Sequence, residues 1–428
     1  MSAGMQRASD YLVDEIKIKP QYGTGTPVDV TGIMVEMHIY EDIYKPFLHG
    51  TLMISDSSGL IEQTPISGEE FLSIKIETPG ADQTIDHEFQ VYKVSGRAST
   101  GNLTQAYVLH FMSKEAFKNI TNPISIGFDG KLISDEVTKI YNQNLKVDKK
   151  FDVEKTKNPR RMSFSQWSPT RIINEMKKTA QSAKYSEGSD YQFWEGLDGF
   201  HFRTVQSLMD EIEPKVDSKQ REKLTWTGQN ICGADDVAAN NQAIRNYNII
   251  DQGDNLKRVV GGGTASTQVT FDPIQGSVAF VDTAVKDVFK KIETMEPNLP
   301  MGSKFEKVYK SSTANSQANL QLLFTDASEP NPSGVEKFAQ TQRIQANLMQ
   351  GMKIDLELNG NTNRKIGDVV DVNLPATVGV DQGLLNDSQI SGNALITAIN
   401  HNWTQEQYLQ NVRVVKDSSR EKIDSLVP

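Results

Sequence analysis

Apolar residues recurring at every second position confine a segment to an extended strand with one face on a core and the other in water. This chain carries that pattern in two blocks far apart. The first comprises Ile33-Val35-Met37-Ile39, Leu52-Ile54, Leu72-Ile74-Ile76, Phe89-Val91 and Tyr107-Leu109-Phe111. Turn residues separate its members: Asp56-Ser57-Ser58-Gly59, Pro65 to Gly68, Pro79-Gly80 and Gly101-Asn102. Strands at that spacing predict an antiparallel barrel or sandwich. The second block comprises Met352-Ile354-Leu356-Leu358, Val370-Val372-Leu374, Leu395-Thr397-Ile399, and Tyr408 with Val412 and Val414. Strand signals at Ile244 to Ile250, Gln268 to Phe271 and Val278 to Val281 open it.

Helical spacing rules the stretch between the blocks. Lys114 to Asn119 and Ile133 to Leu145 begin it, with Ile133, Val137, Ile140 and Tyr141 on one face. Ser168 reads as an N-cap before Pro169, ahead of an apolar stripe of Ile172, Ile173, Met176 and Ala180. Tyr191-Gln192-Phe193-Trp194, the turn Gly196 to Gly199 and Phe200-His201-Phe202 read as an aromatic hairpin. Farther on, Gly334 to Gln350 reads as a helix, and 298–334 as loop with a short helix near Ser316 to Leu323.

The expected fold is therefore α+β and mainly β, with two antiparallel β-barrels bracketing an inserted α+β domain and the second barrel discontinuous. Residues 1–113 form the first barrel, 114–240 the inserted domain, and 241–282 with 335–416 the second barrel. Residues 283–334 are an insertion or linker and 417–428 a C-terminal tail. A length of 428 residues suits such a modular plan.

The formal charge of -10 excludes the basic footprint of a protein that grips phosphate, but suits a conduit along which nucleic acid slides without sticking. Cys232 stands alone, so no intramolecular disulfide is possible and maturation in a reducing compartment is expected. No apolar run approaches the roughly 18 residues of a membrane span.

The usual signatures of catalysis are missing: no Walker loop, no HExxH, no GxSxG elbow, no CxxC pair. Gly127-Phe128-Asp129-Gly130-Lys131 reads as a turn, and Gly261-Gly262-Gly263 as a flexible connection rather than a dinucleotide fingerprint. The histidines, at 38, 49, 87, 110, 201 and 401, have no metal-ligand spacing. Glu69-Glu70 and Asp235-Asp236 read as solvated turns, and the basic cluster Lys155, Lys157, Arg160 and Arg161 as a solvated linker. The hairpin aromatics read as core, with a sugar-stacking platform as the rival. No enzyme activity, cofactor or metal is expected.

One segment goes beyond composition. The run Val35-Glu36-Met37-His38-Ile39-Tyr40-Glu41-Asp42, Ile43-Tyr44-Lys45-Pro46-Phe47-Leu48, His49-Gly50-Thr51-Leu52-Met53-Ile54-Ser55-Asp56 resembles the first hairpin of phage baseplate hub proteins. The resemblance continues through Leu60 to Glu70 and ends with Asn400-His401-Asn402-Trp403-Thr404-Gln405-Glu406-Gln407-Tyr408. It implies two tail-tube-like barrels in one chain, so that a homotrimer presents a pseudo-sixfold ring between a sixfold tail tube and a trimeric spike, with a channel for DNA. The implied partners are copies of itself, the tail tube protein, a central spike protein and baseplate wedge proteins. The implied location is the virion tail baseplate, after assembly in the host cytoplasm. The same architecture serves phage-derived contractile injection systems; a wall hydrolase and a glycan-binding module are the remaining alternatives. Because the chain stops after the second barrel, a separate spike is expected. The family offers no catalytic set. The connection from Tyr40 to His49 is long for a hairpin and rich in aromatics, so Tyr40, Tyr44, Phe47 and His49 are the candidate assembly contacts.

Overall fold

The computed structural model describes residues 9–20, 26–63, 66–79, 81, 83–101, 103–157, 159–185, 187–210, 221–227, 240–260, 263–272, 277–301, 321–322, 335–376 and 386–422. Cys232, Asp235-Asp236, Gly261-Gly262, Pro65, Asn102 and most of the expected helix near Ser316 lie outside them.

Alternation becomes strands where it was read. The first unit is built from β1 (Leu12–Lys19), β2 (Val28–Asp29), β3 (Met34–Asp42), β4 (His49–Asp56), β5 (Phe71–Glu77), β6 (Thr84–Gly101) and β7 (Thr104–Ser113). They pair in the order β3-β4-β7-β6-β5-β1-β2. Met37, Ile39, Leu52, Ile54, Leu72, Ile74, Phe89, Tyr107 and Phe111 turn one way into a single core. Gly50 stands among them because a Cβ there would lie 2.2 Å from the His38 carbonyl and 2.4 Å from the Phe111 ring. Glu70, expected in a solvated turn, is buried, and its carboxylate accepts from the backbone N–H groups of Ser67, Gly68 and Glu69. The charge is absorbed by the turn that it closes.

The inserted unit holds the helices Lys114–Thr121, Ile133–Lys139 and Pro169–Lys177, and also strands that the helical reading missed. β8 (Ile124–Leu132) pairs with β10 (Pro159–Trp167), and β9 (Phe151–Val153) joins β11 (Tyr191–Gly196) and β12 (Gly199–Thr204) in a three-stranded sheet. Gly127 to Lys131 is thus no turn but part of β8, with a register shift near Gly130 where φ is +68°. Arg160 and Arg161 lie on β10, and the exposed Arg161 faces Asp129 at 3.4 Å. The aromatic hairpin forms with Gly196 opposite Gly199. Tyr191, Phe193, Phe200 and Phe202 are buried with Ile172, Ile173 and Met176, which leaves no ring face to a sugar.

The second unit closes. β13 (Lys223–Trp226), β14 (Ala243–Gln252), β18 (Met352–Asn359), β19 (Val369–Asn373), β20 (Gly392–Thr404) and β21 (Tyr408–Lys416) pair in the order β19-β13-β14-β18-β21-β20, and β19 pairs again with β20. That is a six-stranded barrel. Its composition differs from expectation in two respects. β13 falls inside the stretch read as insertion, yet Leu224 is buried in the barrel core. β15 (Ala265–Asp272) and β16 (Ser277–Ala284), read as barrel strands, pair instead with each other and with β17 (Gln321–Leu322). The reason lies just past β16, where Val285 and Val288 pack on Ile344 and Leu348 of the helix Val335–Leu348 and hold the hairpin on that helix.

The expected tail also begins inside the fold. Asp417, Ser418 and Ser419 are buried, and Asn298 and Ser419 exchange backbone hydrogen bonds. Burial pushes the Asp417 carboxyl up from 3.8 to about 6, against bonds from the Ser418 hydroxyl and the Met295 N–H.

Two outcomes are expected. Gly50→Ala lowers the unfolding free energy by about 1–3 kcal/mol in urea titrations, whereas Gly32→Ala, with nothing within 4 Å of its Cβ, leaves it unchanged. For Asp417, the folded carboxyl holds its proton up to about 6 while the unfolded one releases it near 3.8, so this residue costs stability as pH rises across that window. Asp417→Asn therefore gains roughly 3 kcal/mol at pH 7.5 and about half that at pH 5, read by denaturation at the two pH values.

Candidate assembly face

β20 pairs along one edge with β21 from Leu395 to Trp403. Along its other edge it pairs with β19 from Gly392 to Leu395 and then with β3 from Ala398 to Thr404. One long strand therefore stitches the two units into a single ladder of thirteen strands. Where β20 passes from one neighbour to the other, its register with β21 shifts between Ile396 and Ala398.

Registered pairing carries side chains of one face straight across that seam. Asn246, Glu357, Asn411, Asn400, Tyr40, His49, Met112 and Gln90 sit opposite one another in turn on β14, β18, β21, β20, β3, β4, β7 and β6. The neighbouring row adds Asn402, His38, Thr51 and His110. Both rows are polar apart from Met112. On this face Tyr40 stacks between His38 and His49, with ring centroids 5.8 Å and 5.1 Å apart, and Arg413 makes a two-pronged bond to Asp355 at 2.8 and 2.9 Å. Burial, with Lys45 nearby, lowers the His49 pKa.

The opposite face of the seam is buried and charged. His401, opposite Ile39, places Nε2 2.7 Å from Glu41 Oε1, and both side chains are withdrawn from water. The imidazole donates there and accepts at Nδ1 from the Tyr408 hydroxyl, 2.6 Å away, which in turn accepts from Gln410 Nε2 at 2.8 Å. Gln410 Oε1 receives the Arg364 guanidinium, itself paired with Glu222 at 2.5 Å. Burial raises the Tyr408 pKa, so its hydroxyl stays protonated. His401, Trp403 and Tyr408 stack nearly parallel, with interplanar angles of 8° and 10°. No spacing announces this group, since Glu41 and His401 are 360 positions apart. The only signal is that alternation in β20 puts His401 on the same side as Ile399 and Trp403.

The inserted unit is fastened to the seam by two carboxylates. Glu41 Oε2 accepts from the Leu197 N–H at 2.9 Å, and Glu195 Oε2 accepts from the Leu48 N–H at 3.0 Å. Glu195 also pairs with Lys149 at 2.5 Å. Burial holds the Glu195 carboxyl above its ordinary value despite that lysine.

Between β3 and β4, the connection contributes to all three cores. Ile43 enters the second-barrel core, Phe47 packs edge-on against Phe200 of the inserted unit, and Leu48 enters the first core. Phe47 is thus partly buried against the inserted unit. Tyr44 is 53% exposed at the loop tip, and Tyr40 and His49 lie on the polar face. Among the described residues no group of three or more His, Cys, Asp or Glu is placed to hold a metal, and no helix is long and apolar enough to cross a membrane.

Removing one member of the buried pair strands the other. Glu41→Ala is expected to cost about 3–5 kcal/mol in equilibrium denaturation. A Glu41→Ala/His401→Ala double-mutant cycle is expected to show coupling of roughly 1 kcal/mol or more, and additive effects would refute the pairing.

No family model and no curated protein matches the chain. Solved structures do. A tail protein from Neisseria meningitidis superposes with a TM-score of 0.54 at 10% identity, covering 95% of this chain and 97% of that one. The 43 kDa tail protein of prophage MuSo2 from Shewanella oneidensis gives 0.51 at 10% identity, over 94% and 98%. A PdpA-VgrG complex in its lidless form gives 0.50 at 11% identity, over 96% of this chain and 65% of that one. The chain therefore has a mainly β fold, a closed six-stranded barrel with further strands and some helices, and shares it with tail proteins over nearly its whole length.

Proposed function

We propose that this chain is a structural hub of a phage-type contractile tail baseplate: a homotrimeric ring that joins the sixfold tail tube to a trimeric spike and leaves a channel for DNA. Its role is to adapt symmetry, with no reaction catalysed. The tail proteins that share its fold favour this reading.

One observation carries it. The eight strands that bear the polar rows form a sheet with unfinished edges at both ends. At one end β13 covers only Ala243 and Ile244 of β14, so Asn246 to Gln252 have no ladder partner on that side among the described residues. At the other, β5 pairs with β6 only from Thr84 to Gln90, and among the described residues Lys93 to Gly101 pair with β7 alone. Open edges of similar length at opposite ends of one sheet suit head-to-tail joining, in which each copy meets the next through different surfaces. Three copies joined through β14 and β6 close a cylinder with the polar rows facing one way. We assign them to the lumen: a water-filled bore needs polar walls, and a chain of net charge -10 does not trap DNA.

In this reading 1–113 and the second barrel are the two tube-like domains, 114–240 is the inserted domain facing the wedges, and the protein resides in the virion tail. Tyr44, exposed at the loop tip, contacts the tube or a neighbouring copy, while Tyr40 and His49 line the polar face.

Sedimentation of the purified chain is expected to give a mass three times 47.7 kDa, and negative-stain images a ring with a central hole. A single-chain mass at micromolar concentration, with no ring in the images, refutes the proposal.

A further inference from the structure

Large apolar side chains are unevenly exposed. Among the described residues, half of them fall between Ile250 and Val281, including Leu256 at 78% and Phe280 at 69%. Such a concentration marks a contact surface rather than ordinary scatter.

The structure of the segment narrows what it contacts. β16 is an edge, pairing with β15 alone among the described residues. It has no lysine and no proline, its register with β15 is unbroken by any bulge, and its one charge, Asp282, is engaged by the Thr267 hydroxyl at 2.6 Å. The usual protections of a free edge are therefore missing among the described residues. Gln340 Nε2 bonds the Val281 carbonyl at 2.8 Å, so the helix Val335–Leu348 covers the C-terminal end of that edge. In an antiparallel pair, alternate residues turn their backbone groups outward. Ala279 and Ser277 thus face the same way as Val281 but lie beyond the Gln340 contact. Val278 and Phe280 stand between them with their side chains in solvent.

We propose that the β15-β16 hairpin is a clasp between copies of this chain, with Val278 and Phe280 seated on the next subunit of the ring. The inference rests on the ring reading above. A second copy is the occupant because the exposed residues follow the open edge along the chain, from Ile250 on β14 through Leu256 to the hairpin, and so extend the seam already assigned to β14 and β6. The facing surface is supplied by the same chain, since the β6-β7 hairpin that carries the other open edge exposes Tyr92 and, at its tip, Leu103 at 92%.

The test compares the parent with the double variant Val278→Asp/Phe280→Asp, with Phe280→Ser, and with Ile120→Asp, a control at an exposed apolar residue of the inserted unit. Sedimentation equilibrium and circular dichroism are read on each. The expected result is a trimeric parent and control, with hairpin variants that keep the parental spectrum and dissociate at least roughly tenfold more readily. Phe280→Ser, the milder change, decides the matter if the double variant unfolds. Hairpin variants that trimerise as tightly as the parent overturn the clasp and leave the ring standing. A parent that stays a single chain overturns both.

Discussion

A strand has two edges, and the fold turns on how β20 divides them. β21 occupies one edge along nearly its length; the other is shared, with β19 as far as Leu395 and β3 from Ala398. The first share closes the second barrel, and the second attaches the first unit in register. Because side chains alternate strictly, a slip of one residue at the seam would turn His401 and Trp403 to the polar face and drive Asn400 and Asn402 into the cores. Both cores and the continuous polar rows depend on that single alignment.

The charged group behind the seam is better understood as a guard on this alignment than as a source of stability. Burying a carboxylate beside an imidazole costs desolvation that pairing roughly repays, and an apolar pair of similar size would do as well for stability alone. What an apolar pair lacks is direction. Glu41 has one oxygen on His401 and the other on the Leu197 amide, so it meets both demands only when β3, β20 and the inserted hairpin hold one arrangement. Glu195 imposes the reciprocal demand through the Leu48 amide. With Ile43, Phe47 and Leu48 each packed into a different core, the β3-β4 connection adds side-chain anchoring to the β3-β20 ladder that joins the two units.

Much of this was legible in advance where a local rule decides. Alternation located most strands of both units, though not β1, β2 or β13; the Ser168-Pro169 start located its helix, and the glycine-bounded turn located the aromatic hairpin. Where pairing is long-range, legibility ended. β13 has only four residues and its two partners lie in parallel, a connection that leaves no turn signature. The pattern of β15 and β16 resembles that of a barrel strand, and only the anchoring of Val285 and Val288 on a distant helix decides otherwise. β8 and β10 do alternate, at Ile124, Ile126 and Phe128 and at Met162 and Phe164, but the glycines of the one and the arginines of the other read as turn and linker. Of the loop residues singled out, Tyr40 and His49 lie together on the polar face, whereas Phe47 packs on Phe200, a partner from another part of the chain that no local pattern announces. His401 and Glu41 escaped notice for the same reason: each is unremarkable until β20 and β3 are known to pair.

The unequal lengths of neighbouring strands link the fold to the proposed assembly. β6 runs well past β5 and β14 past β13; the β14 overhang, with Asp251 as its one charge, is the less protected, since that of β6 carries Lys93, Arg97 and register shifts with β7. The overhangs lie at the two ends of one sheet whose far face carries rows that are polar apart from Met112, and the two most exposed large apolar side chains, Leu103 at the β6-β7 tip and Leu256 shortly after β14, follow them in the chain. A flat sheet with such edges would grow without limit. In the ring proposed above, twist prevents that, because each copy would turn the next by a fixed angle, and strand number and tilt would then decide at how many copies the cylinder closes. The apolar hairpin beyond β14 can contribute by holding that angle, since an edge-to-edge ladder alone is free to bend about its hydrogen bonds while a side-chain contact set off from the sheet is not.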